Sequence, residues 1–161
     1  MTNKKTEDGD GFWASQIDEL ERRRAFAKEM GGPDNIARQR GAGRLTIRER
    51  IDQVADAGSF REIGTLAGTG EYDDDLKLQK VTPATYVAGT ARIDGRPVAI
   101  GGEDFTVRGG TSFGAQRRKG GQGGYIEDLA HHYKIPLVNL IDGAGGSVTS
   151  AKRRGFVVFP G

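Results

Sequence analysis

Tyr86-Val87-Ala88-Gly89-Thr90-Ala91-Arg92-Ile93-Asp94-Gly95-Arg96-Pro97-Val98-Ala99-Ile100 is the stretch from which the architecture of this chain can be read. Residues 86–93 and 96–100 read as two strands around Asp94-Gly95, the dipeptide a type I′ turn favours because both of its central residues need positive φ. Downstream, Phe105 to Val107 is expected to continue the sheet and Gly109-Gly110-Thr111 to break it. Residues 115–133 are compatible with a helix despite their glycines, and 137–141 is a short apolar run expected to be a buried strand. Strand, glycine turn, helix, strand, glycine turn is the rhythm of a layered α/β domain, in which ligands bind beyond the carboxyl ends of the strands.

Upstream of the hairpin the pattern is helical. Thr46 and Glu49 have the spacing of a capping box, followed by a stripe of Ile47, Ile51 and Val54. Residues 12–30 predict an exposed amphipathic helix, with Trp13, Ile17, Leu20, Ala27 and Met30 on one face. It is expected to end at Gly31-Gly32-Pro33. Asp18 with Arg22 and Glu19 with Arg23 are spaced to pair one turn apart. Residues 59–63 suit a strand, and 68–80 is polar and acid-rich without periodicity, an expected surface excursion. The change of pattern divides the chain into a helical lead-in, 1–58, and a β-rich part, 59–161.

The 161 residues suit one domain. With no cysteine, neither disulfides nor thiolate chemistry is available. A formal charge of +2 is too small for a dominant nucleic-acid field, and no apolar run approaches the length of a membrane span. The expectation is a cytoplasmic protein that binds neither nucleic acid nor membrane. His131 and His132 are adjacent on a helix and no carboxylate spacing completes a metal site, so they read as ordinary helix-end residues and no metal is expected.

Glycine is the outlier, at 26 residues, well above the average of about 7%. Two glycine-rich turns end strands: Gly109-Gly110 after Arg108, and Gly143-Ala144-Gly145-Gly146-Ser147 after Asp142. Either can present backbone N–H groups to an anion or to a carbonyl becoming an enolate. The phosphate-loop, dinucleotide and nucleophile-elbow templates are absent. Arg117, Arg118 and Lys119 follow the first turn, where forked cations suit the phosphates of a coenzyme or serve solubility alone.

A resemblance sharpens this reading. Gly43-Arg44-Leu45-Thr46-Ile47-Arg48-Glu49-Arg50-Ile51 and Gly58-Ser59-Phe60-Arg61-Glu62-Ile63-Gly64 resemble the lead-in of the carboxyltransferase β subunits of biotin-dependent acyl-CoA carboxylases of the propionyl-, methylcrotonyl- and geranyl-CoA type. Gly89 to Val98, Asp104 to Thr111 and Ile135 to Asp142 resemble further blocks in family order. The resemblance implies a crotonase-like ββα superhelix of which this chain is an incomplete N-terminal domain with its lead-in. It implies carboxyl transfer from biotin, carried on a partner protein, to an acyl-CoA substrate whose enolate is held by backbone amides, with no metal in this component. The pair matching the oxyanion position is Gly145-Gly146. The run here is one residue longer than the family's usual Asp-Ser-Gly-Gly-Ala, which makes the Ser147 amide a third candidate. Gly109 and Gly110, with Arg117, Arg118 and Lys119, would line the CoA path. Implied partners are a biotin carboxylase and biotin carrier subunit, and further copies of the chain in a homo-oligomer with sites at subunit interfaces. A chain ending within the first of two such domains is expected to be inactive alone. Competing readings are another crotonase-superfamily acyl-CoA enzyme, a decarboxylase or hydratase, which would not need the lead-in of residues 44–63, and a noncatalytic CoA- or RNA-binding module. The latter lacks the interleaved aromatics that base stacking uses.

Overall fold

At the Asp94-Gly95 turn φ is 50° and 75°, and Ile93 stands opposite Arg96, so the hairpin closes with two residues in the left-handed region. Asp56 accepts both turn amides, from Asp94 N–H at 2.9 Å and Gly95 N–H at 2.8 Å. A computed structural model describes residues 12–111 and 124–143 of the chain. Its helices are α1 (Ala14–Lys28), α2 (Pro33–Gly41), α3 (Ile47–Val54) and α4 (Tyr125–Tyr133). Its strands are β1 (Arg61–Ile63), β2 (Gly68–Tyr72), β3 (Leu78–Pro83), β4 (Tyr86–Ile93), β5 (Arg96–Glu103) and β6 (Leu137–Leu140).

One sheet has the order β1-β4-β5-β6, antiparallel except where β6 runs parallel to β5. The antiparallel β4–β5 pair followed by α4 and the parallel β6 is a ββα unit. Helices cover both faces. On one face Ile47 and Ile51 of α3 pack with Val87, Ala91, Val98 and Ile100. On the other, Ala99 packs with Ile126, Leu129 and Ala130 of α4. Alternation along β5 sends Val98 and Ile100 to the α3 face and Ala99 to the α4 face, as a strand buried on both sides requires. At Gly101 a Cβ would lie 2.8 Å from the Tyr86 ring, so the missing side chain makes room for that ring.

The capping box forms: Glu49 N–H donates to Thr46 Oγ1 at 3.3 Å, and Thr46 N–H donates to Glu49 Oε2 at 2.7 Å. Those bonds, the Thr46 amide foremost and then the Arg40 guanidinium, hold the Glu49 carboxyl below its ordinary range. Arg48 reaches from α3 to Glu62 of β1 with two bonds of 2.6 and 2.9 Å, fastening the third helix to the sheet edge.

Several expectations are corrected. Residues 105–107 form a turn because Asp104 captures them: its carboxylate takes Thr106 N–H at 3.0 Å and the Thr106 hydroxyl at 2.5 Å, while its carbonyl takes Val107 N–H. Residues 68–80 are not a bare excursion but lie mostly in the β2–β3 hairpin, whose loop is closed by Asp73 accepting the amides of Asp75 and Lys77. Pro33, read as a stop, also begins α2 at a position where its missing N–H costs nothing. The expected apolar face of α1 is largely exposed, with Trp13, Ile17 and Leu20 at 57%, 51% and 41% and only Ala27 buried. Polar contacts also hold the helix: Arg22 donates to Leu78 O at 2.6 Å rather than pairing with Asp18, and Arg23 bonds both Glu19 and the Tyr72 hydroxyl. Val54, expected to be buried, is exposed, and the run 137–141 is not the buried strand expected: Leu137, Asn139 and Ile141 are exposed and Val138 and Leu140 only half-buried, because β6 lies at the edge of the sheet. Of the helix expected over 115–133, the part within the described residues is α4.

Candidate functional site

Because β5 and β6 are parallel and in register from Ala99 opposite Leu137 to Gly102 opposite Leu140, they end at the same edge. The chain leaves β5 through Glu103 and Asp104 into a 3₁₀ turn, Arg108–Gly110, and leaves β6 into Asp142-Gly143. Both glycine turns therefore begin at one end of the sheet, where an α/β domain binds its ligands.

The two turns touch. A Cβ on Gly110 would lie 3.0 Å from the Glu103 Cβ and 3.1 Å from the Asp142 carbonyl oxygen, a tight fit, and φ there is 71°, so both the space and the backbone favour glycine. Arg108 and Gly109 also have positive φ, 51° and 64°, and the Gly110 N–H is taken up inside the turn by Val107 O at 3.0 Å.

Asp142 is held from three sides. Its N–H donates to Glu103 Oε2 at 3.2 Å, while its carboxylate accepts from Gln39 of α2 at 3.3 Å and lies 3.9 Å from the Arg50 guanidinium of α3. Arg50 also donates to Leu140 O at 3.3 Å, so the lead-in helices grip the end of β6 directly. An open cleft of about 390 Å³ beside this grip is lined by Gly43, Arg44, Leu45, Arg50, Ile141 and Asp142. Arg44 lies over the Phe105 ring at 5.5 Å from its centroid.

Buried carboxylates sit immediately behind. Glu103 and Asp104 are 7% and 1% exposed. Burial raises the Asp104 carboxyl above the ordinary range, opposed by the Thr106 hydrogen bonds and by the Arg48 guanidinium. The Thr106 hydroxyl in turn accepts from Gly31 N–H at 2.9 Å, pinning the α1–α2 junction to the loop before the glycine turn. Tyr86 donates to Asn139 Oδ1 at 2.9 Å, and burial, with the charges of Glu127 and Glu103, pushes its phenol upward.

Of the residues singled out by sequence, Gly109 and Gly110 lie in the 3₁₀ turn beyond the end of β5, separated from the strand by the turn of residues 104–107. Gly145, Gly146, Ser147, Arg117, Arg118 and Lys119 lie outside the described residues. Sequence reasoning missed Glu103, Asp104, Gln39 and Arg50. For the first two a signal existed: adjacent carboxylates ending an otherwise apolar strand, just ahead of a glycine turn. His131 and His132 are exposed in the last turn of α4, and among the described residues no three metal-ligating side chains gather.

The architecture is that of a crotonase-like α/β fold as built in carboxyltransferases. The 12S transcarboxylase, solved with hydrolysed methylmalonyl-coenzyme A bound, superposes with a TM-score of 0.68 at 26% identity, covering 86% of this chain and 26% of that one. Residues 38–158 match the carboxyl transferase domain, and the chain belongs to that family. It is 34% identical over 132 residues to the propionyl-CoA carboxylase beta chain of Roseobacter denitrificans, covering 82% of this chain and 25% of that protein. Over 133 residues it is 33% identical to the propionyl-CoA carboxylase carboxyltransferase subunit of Haloferax mediterranei, covering 83% of this chain and 25% of that protein. The chain thus spans about a quarter of the length of these relatives.

Proposed function

We propose that this chain is part of the carboxyltransferase component of a biotin-dependent acyl-CoA carboxylase, acting in the cytoplasm as an N-terminal acyl-CoA-binding region (59–161) behind a helical lead-in (1–58). The observation that carries the proposal is the family match over residues 38–158, which takes in the last third of the lead-in as well as both glycine turns. The lead-in matters because Gln39 of α2 and Arg50 of α3 grip Asp142 at the mouth of the second turn, which gives it a task at the site.

In this reading the donor is a carboxyl group borne on the biotin of a partner carrier, loaded by a biotin carboxylase, and the acceptor is the enolate of an acyl-CoA. The thioester oxygen receives N–H bonds from Gly145 and Gly146, or from Gly146 and Ser147. Backbone donors of this kind stabilise the enolate more than the ground-state carbonyl, because charge develops on that oxygen only as the α-proton leaves. Gly109 and Gly110 let the CoA chain pass close to the main chain, and Arg117, Arg118 and Lys119 meet its phosphates. Further copies of the chain complete sites at subunit interfaces.

Gly145→Pro tests the oxyanion assignment in the complete enzyme with its biotinylated carrier. Proline removes the N–H outright, and loss of one such donor should lower kcat on the order of 10²- to 10³-fold. Unchanged turnover with the fold intact would remove that amide from the mechanism.

A further inference from the structure

We infer that Glu103 is a positioning residue, setting the Asp142-Gly143 turn against the Arg108–Gly110 turn so that both face one acyl thioester. This rests on the carboxyltransferase reading and deepens it. Glu103 is the last residue of β5 and is 7% exposed. Its Oε2 accepts the Asp142 N–H at 3.2 Å, across the gap between two parallel strand ends where ladder bonding has stopped. Its Cβ meets Gly110, where an added methyl would lie only 3.0 Å away. One side chain thus fixes the amide that begins the second turn and forms the wall against which the first turn packs.

The Asp142 N–H is already occupied by Glu103, so it is not itself offered to substrate; what Glu103 fixes is the start of the turn at Asp142-Gly143. Gln39 and Arg50 hold the Asp142 carboxylate but not its backbone, so they cannot replace this bond. A carboxamide at position 103 could, since its oxygen is also an acceptor.

The test uses the complete enzyme with propionyl-CoA as acceptor. Glu103→Ala keeps the Cβ that Gly110 packs on and deletes the acceptor, and Glu103→Met does the same with the volume filled, so that it carries the test should the alanine variant fail to fold. Both should lower kcat by about tenfold or more, as displaced catalytic groups do, with KM for propionyl-CoA within about twofold, while Glu103→Gln restores most of the rate. In parallel, amide exchange of the peptide spanning residues 137–143 should quicken in Glu103→Ala and Glu103→Met and stay protected in Glu103→Gln. Wild-type kcat and unchanged exchange in the alanine and methionine variants would overturn the inference, as would a glutamine variant as slow as alanine. If the wild-type protein transfers no carboxyl group, the carboxyltransferase reading fails separately, and the exchange measurement still decides what Glu103 holds.

Discussion

The two hairpins, β2–β3 and β4–β5, are both antiparallel and lie close together in the chain, yet they are stabilised in different ways. In β4–β5 the turn is a two-residue Asp94-Gly95 connection with both φ angles positive, and its strands are covered on one face by α3 and on the other by α4. In β2–β3 the loop spans residues 73–77, the register slips at Glu71/Tyr72, and beside the buried Leu78 and Val81 the strands are tied to α1 through Arg22 and Arg23. A hairpin whose backbone chemistry and core burial agree is specified locally. One that depends on a capturing carboxylate and a neighbouring helix is specified only once the chain has folded.

The contrast can be broken most forcefully at Ile100, fully buried against α3. Ile100→Ala should cost about 2–5 kcal/mol and shift the whole chemical denaturation transition; a loss below about 1 kcal/mol would mean that the β4–β5 sheet is not the centre of stability. Asp73→Ala should cost about 1 kcal/mol and act locally. Amide exchange is expected to quicken in β2–β3 while β4–β5 stays protected, and equal quickening in both would merge the two hairpins into one cooperative unit.

The smallest effect concerns the capping box that seats α3 on β4–β5. Glu49 has its carboxyl lowered below 4.5 by the Thr46 amide and then Arg40, so it contributes stability above that pH and loses the contribution as pH falls through the lowered value. Glu49→Ala should therefore be less stable than wild type near neutrality by under about 1 kcal/mol, with the two converging in acid. Asp104, its carboxyl raised by burial, works in the opposite sense: its ionisation cost appears as pH rises past 3.8 and is constant above its raised value. A difference between Glu49→Ala and wild type that stayed undiminished as the pH falls would contradict the part played by the Glu49 charge in the cap.

Asp94-Gly95 and the Thr46/Glu49 pair could be read from sequence because each is set by neighbours a few residues away; the run at 137–141 could be read as a strand but not in its burial, since its place beside β5 is set some 38 positions away. The α1 face could not, because its apolar spacing says nothing about what covers it, and Arg22 found Leu78 O across 56 positions of sequence instead of Asp18 one turn back. The site shows the same division. Gly109 and Gly110 announce themselves by composition, but the Glu103, Gln39 and Arg50 contacts that fix Asp142 span 39, 103 and 92 positions, and the parallel pairing of β5 and β6, with α2 and α3 laid beside it, brings them together.

The most direct test of the central claim is carboxyl transfer by the protein purified from its own cells together with any biotin-bearing companion. Labelled bicarbonate and ATP are supplied, with propionyl-CoA as acceptor. Label entering the acyl-CoA, abolished by avidin, is the predicted result. A biotin-bearing companion present and charged with label, with none passing to propionyl-CoA or to any other acyl-CoA offered, would contradict the account.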